Sequence, residues 1–173
     1  PDFKTGTLFL YDLMQTGVLP ASIRLLDNVQ FRFGSALKPT PTQMDELMNK
    51  VQKFYLLNLK KFDPNELCAA TVVMEGTASE VEYQEKLINK LAKQRGGIPG
   101  GEGNGKRGYM LTYAIAYIRD FLADFDIIGE TYETTVPWSQ IHAVCEAVAE
   151  QVEILHKQYD LPGKPYISQI GRA

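Results

Sequence analysis

The segment Gly96-Gly-Ile-Pro-Gly-Gly-Glu-Gly-Asn-Gly-Lys-Arg-Gly108 constrains this chain more than any other. Glycine loses the most backbone freedom on ordering and proline has no amide donor, so a helix reaching this segment is expected to stop there. The segment reads as a loop with periodic sequence on either side. Before it, Val81, Leu87, Ile88 and Leu91 form a helical apolar stripe, and Ser79 stands three residues ahead of Glu82 as a capping box would. After it, helical character returns from Tyr109 to Phe125.

The rest of the chain alternates between the two periods. Phe3 to Gln15, with Phe3, Leu8, Leu10, Leu13 and Met14, suits a helix that Gly6 weakens. Ala21 to Leu26 lies between Pro20 and Asp27-Asn28 and reads as a strand running into a turn, with Arg24 on the face opposite Ile23 and Leu25. Met44, Leu47, Met48, Val51, Phe54 and Tyr55 mark a helix near 42 to 58 that ends before Asp63-Pro64. Leu67 to Glu75 reads as a buried strand and Ile127 to Thr135 as another. Pro137 opens a helix with the stripe Ile141, Val144, Cys145, Val148, Val152 and Leu155, and Tyr166 to Ile170 reads as a last strand. Four strands mixed with helices in this order predict an α+β fold. Its largely antiparallel sheet, with helices near 42 to 58 and 138 to 157 packed on it, is of ferredoxin-like type. The expected organisation is one domain over residues 1–173.

At 173 residues and 45% hydrophobic, the chain can bury a substantial core. Its net charge of -3 supplies no general attraction to nucleic acid, so no nucleic-acid partner is expected. Cys68 and Cys145 lack metal or redox spacing and read as buried free thiols. His142 and His156, fourteen residues apart on one helix, would be separated by about 21 Å, too far to share a metal. No metal site is expected, and no apolar run is long enough to span a bilayer.

Few motifs carry chemistry. Gly103 to Gly108 satisfies GxGxxG and Gly100 to Lys106 satisfies GxxxxGK, but Arg107 stands where the second needs Ser or Thr, and both need a preceding strand rather than a helix. A glycine-rich surface loop is one reading, and a lid that brings Lys106 or Arg107 to an anion is the other. Glu130 and Glu133 would point to opposite faces of a strand and make no carboxylate pair. Arg24 is the most informative position, because a guanidinium among apolar residues needs an acceptor. That acceptor is either a structural carboxylate or a ligand.

Two longer blocks go further. Pro20 to Asn28 with Gln30-Phe31, Phe33-Gly34 and Ala36 to Pro39 resembles a signature segment of the alkyl-dihydroxyacetonephosphate synthase family of FAD-linked oxidases. Gly101-Glu102, Asn104-Gly105, Arg107-Gly108-Tyr109, Leu111-Thr112-Tyr113 and Ile115 to Asp120 resemble the same family in the same order. The resemblance implies that the chain covers mainly the substrate-side cap domain. The FAD-binding domain and a C-terminal catalytic segment would lie outside it, so that the fragment alone would be inactive.

The implied reaction replaces the acyl chain of acyl-dihydroxyacetonephosphate by a long-chain fatty alcohol through a non-redox flavin adduct, a step of ether-lipid synthesis. The implied cofactor is FAD, and the implied setting is a peroxisomal homodimer, with association to a membrane surface. By resemblance Arg24 is the catalytic arginine near flavin and substrate. In the last strand the family's arginine falls on Gln169 in an ungapped reading, with Arg172 three residues later carried over for substrate binding. Arg107 and Lys106 join it as substrate-binding candidates. Gly103 stands where the family has an acidic residue. The alternatives are the cap of a FAD-linked 2-hydroxyacid dehydrogenase, disfavoured because Gly108 and Thr112 replace that group's tryptophan and arginine, and a non-catalytic binding or dimerisation domain.

Overall fold

The computed structural model describes residues 1–37 and 54–172, so most of the helix expected near 42 to 58 lies outside the described residues. Its end is present as Phe54 and a π-helical turn, Tyr55–Leu59. The chain divides into two compact units, Pro1–Pro99 with Tyr166–Ala173, and Gly100–Pro165.

The first unit is built on helix α1 (Phe3–Gln15), strand β1 (Ser22–Leu26), helix α2 (Asn28–Ala36), strand β2 (Ala69–Val73), helix α3 (Ala78–Gln94) and strand β3 (Ile170–Arg172). The sheet order is β2-β1-β3, and both pairings are antiparallel. This is the expected α+β class with an antiparallel sheet, but among the described residues it has three strands rather than four. Ile127 to Thr135 forms no strand. Its first amide closes the preceding helix by donating to the Leu122 carbonyl at 3.0 Å, and no described strand offers the segment a ladder. β3 begins at Ile170 rather than Tyr166, because the preceding residues bond to α2 instead of to β1.

Within the first unit, one face of the sheet is covered by α1 and α3, whose packing the sequence reading did not anticipate. The buried core is Phe9, Leu10 and Leu13 of α1 with Ile23 and Leu25 of β1, and Val72, Ile88 and Leu91 pack against it. Phe9 takes the core position expected of Leu8, which is exposed. Asp2 caps α1 by accepting from the Thr5 amide at 2.6 Å. Gly6 permits a close helix-to-sheet approach: a Cβ there would stand 2.6 Å from Leu25 Cδ1 and 3.2 Å from Cys68 Sγ. The glycine that weakens the helix locally is thus required by packing.

α3 is capped two residues earlier than expected, by Thr77 and Glu80 in a full capping box. It ends at Gly96, whose φ of 74° reverses the chain while the Gly97 amide donates to the Ala92 carbonyl at 2.7 Å. An ion pair joins α1 to the end of α3: Arg95 donates to both oxygens of Asp12 at 2.6 and 2.9 Å. That guanidinium holds the Asp12 carboxyl below its ordinary pKa.

The second unit contains helix α4 (Glu102–Ala123), a 3-10 turn (Trp138–Gln140) and helix α5 (Ile141–Gln158). α4 starts inside the glycine segment, which corrects the expectation of a loop running to Gly108. A Cβ at Gly103 or Gly105 would meet open space, so neither glycine is demanded by packing. The helical penalty of roughly 1 kcal/mol per glycine is opposed by local bonds: Asn104 donates to the Gly100 carbonyl at 2.7 Å, and Glu102 pairs with Lys106 one turn later at 2.7 Å. The expected apolar stripe of α5 is half-buried from Ile141 to Val152. Neither cysteine is in a disulfide, and both are only partly buried, which corrects the expectation of buried thiols.

Candidate functional site

The sheet packs one face against α1 and α3, and those two helices leave the other face open. Alternation along β1 sends Ile23 and Leu25 into the core, each under 5% exposed, and puts Ser22, Arg24 and Leu26 on the other side. Register then selects the neighbours of Arg24. It lies opposite Thr71 of β2 on one flank and opposite Arg172 of β3 on the other. Directly opposed residues share a face with Cβ atoms about 5 Å apart. The two arginines singled out from the sequence, 148 positions apart in the chain, are therefore side-by-side neighbours on the open face.

This juxtaposition has a chemical meaning. Two guanidinium groups on one face can engage the same anion. The planar fork of each arginine matches phosphate or carboxylate oxygens in pairs. Arg24 is half-buried and Arg172 exposed, so the pair combines a positioned cation with an accessible one. Thr71 adds a hydroxyl on the same face.

Asp27 follows β1 directly. Burial raises its carboxyl above the ordinary pKa, against hydrogen bonds from the backbone at Gln30, Gln169 and Val29 that lower it. Sequence reasoning places Asp27 only in a turn. The signal that could have found it is Asp27-Asn28 ahead of Gln30-Phe31, a helix N-cap pattern.

The other two candidates lie in the second unit. Lys106 is exposed on the second turn of α4, and its ammonium pKa is raised by the hydrogen bond to Glu102. The side chain of Arg107 lies outside the described residues. A groove of about 430 Å³ lined by Tyr55, Lys60, Lys93 and Gly96 to Pro99 shares no residue with the arginine face. Among the described residues no His, Cys, Asp and Glu group could hold a metal ion, and no helix is long and apolar enough to cross a membrane.

The chain belongs to the family of FAD linked oxidases, C-terminal domain, which matches residues 1–158. FAD is the cofactor of that class, and a C-terminal domain supplies only part of the architecture that binds it. Within the class, the chain is similar to the alkyldihydroxyacetonephosphate synthase of Caenorhabditis elegans, with 42% identity over 151 residues, 87% of this chain and 25% of that protein. The synthase of Dictyostelium discoideum is 25% identical over 90% of this chain and 25% of its own length. A solved alkyldihydroxyacetonephosphate synthase structure superimposes with a TM-score of 0.77 at 22% identity, covering 100% of this chain and 31% of that one. The likeness of that structure speaks to fold alone. The chain spans about a quarter of the length of the relatives it matches.

Proposed function

We propose that this chain is the substrate-side part of an alkyldihydroxyacetonephosphate synthase. The enzyme would exchange the acyl chain of acyl-dihydroxyacetonephosphate for a long-chain alcohol to form an ether bond. The observation that carries the reading is the cross-strand pair of Arg24 and Arg172 on the open sheet face. That donor set suits a phosphate-bearing substrate beside a flavin, because guanidinium groups donate and do not accept.

When bound, FAD supplies the ring nitrogen at which exchange can proceed without net redox change. The residues of this chain bind and orient. Arg172, the more exposed, holds the substrate phosphate, while Arg24, fixed in the central strand, stabilises charge near the reacting carbon. Lys106 and Arg107, carried by α4 in the second unit, are separate substrate-binding candidates that rest on resemblance alone. The same reading includes a homodimer in peroxisomes that handles water-insoluble substrates at a membrane surface.

The test is Arg24→Lys in the full-length protein, with specific activity, FAD content and unfolding midpoint measured on the same samples. Lysine keeps the charge and loses the fork, so alkyl-dihydroxyacetonephosphate formation should fall on the order of 100-fold while flavin loading and stability hold. Wild-type turnover in folded, flavin-loaded Arg24→Lys sinks the assignment.

A further inference from the structure

β3 is three residues long, and an edge strand that short has few ladder bonds with which to define its own register. Register is decisive here. Ile170 and Arg172 fall on the Arg24 face, whereas Gly171 faces the core, where a Cβ would stand 3.6 Å from Leu10 Cδ1 and from Leu25 Cβ. A slip of one residue would put Gly171 on the open face and drive a guanidinium against Leu10 and Leu25.

The lock lies one step beyond the strand, where Asp27 meets Gln169. The Asp27 amide donates to the Gln169 carbonyl at 3.1 Å, as a ladder residue would. Its own carbonyl instead accepts from the Phe31 amide at 2.9 Å in the first turn of α2. The carboxylate takes over: Oδ2 accepts from the Gln169 amide at 2.8 Å, while Oδ1 accepts from the Gln30 amide at 2.8 Å and caps α2. The same helix turn receives the residues before β3. Tyr166 donates its hydroxyl to the Val29 carbonyl at 2.9 Å, and the Ser168 hydroxyl bonds Gln30 Oε1 at 2.9 Å.

We propose that Asp27 is a positioning residue that sets Arg172 opposite Arg24 by holding the register of β3. One carboxylate thereby serves the helix cap and the strand together. The inference rests on the reading above that the arginine pair is the substrate site.

The experiment uses full-length, flavin-loaded enzyme and the variants D27S, D27N, R172M and D27S/R172M, with kcat/KM for alkyl-dihydroxyacetonephosphate formation, FAD content and unfolding midpoint measured on each. Serine and asparagine both cap helices well, but neither offers two acceptor oxygens with the reach of a carboxylate. D27S and D27N should keep flavin and fold and lose roughly 10- to 100-fold in kcat/KM. In the R172M background D27S should cost less than about twofold more, because a positioning effect vanishes with its target. If the losses multiply, or if D27S and D27N turn over normally while R172M is impaired, the positioning role is overturned and the arginine reading stands. Normal turnover in R172M overturns both. Loss of fold in both Asp27 variants assigns the residue to stability alone and also overturns the positioning role.

Discussion

The two units of this chain solve the burial problem differently. In the first, five apolar side chains from α1 and β1 are buried, and a second layer from β2 and α3 packs on them. In the second, no described residue is buried, and large side chains such as Tyr117, Phe121 and Ile128 stand 77%, 60% and 88% exposed. Both units contain amphipathic helices with ordinary sequence patterns. The difference teaches that an apolar stripe specifies a helix and a face to be covered, but not what covers it.

The largest expected effect on stability is Leu25→Ala in the full-length protein, a loss of about 2–5 kcal/mol by chemical denaturation, since the side chain is 1% exposed at the centre of the core. Ile128→Ser should change stability by no more than about 0.5 kcal/mol. A cost for Ile128→Ser approaching that of Leu25→Ala would break the comparison, because it would mean that another part of the full-length protein buries the second unit's apolar surface.

Gly6→Val comes next. Its added atoms must displace Leu25 Cδ1, which would be 2.6 Å from the Cβ alone, and overpacking of this kind costs about 1–3 kcal/mol. The paired change Gly103→Ala in α4 meets nothing within 4 Å and should stabilise by up to about 1 kcal/mol. Opposite signs at two helical glycines would sharpen the contrast, and equal signs would remove it.

Smaller and pH-dependent effects should also divide by group. Asp12 has its pKa lowered by Arg95, so its contribution is present above the unfolded value and is lost as pH falls through the folded one. Arg95→Met should therefore destabilise at neutral pH and converge with wild type in acid. Asp27 has its pKa raised by burial, so its contribution is present below the unfolded value and is lost as pH rises through the folded one. Unfolding midpoints of wild type, Arg95→Met and Asp27→Asn across acid to neutral pH check both signs. Lys106→Ala, which breaks an exposed pair in the second unit, should give no resolvable change in midpoint.

Much of the first unit is legible in the sequence. The helix over Phe3–Gln15, the strand around Ile23 and Leu25, and the strand around Val72 follow from local periodicity, and each forms where the pattern puts it. The errors fall where local pattern and chain context compete. α4 begins within glycines because side-chain bonds at Glu102 and Asn104 support a turn that intrinsic propensity disfavours. Ile127 to Thr135 has strand composition, but a strand exists only in a ladder, and composition carries no information about a partner.

What the sequence determined by itself is set by short range: helical and strand periods, and the placing of Arg24 on the face opposite Ile23 and Leu25. The resemblance carried in two long blocks identified the family that matches residues 1–158. What only the tertiary structure decided depends on register and close approach. The pairing of β1 with β3 brings Arg172 beside Arg24, the carboxylate of Asp27 stands in for a backbone acceptor, and Gly6 lets α1 sit against Leu25. No window of sequence contains those facts, because each is a relation between segments whose distance is fixed only when hydrogen bonds and packing close across the sheet.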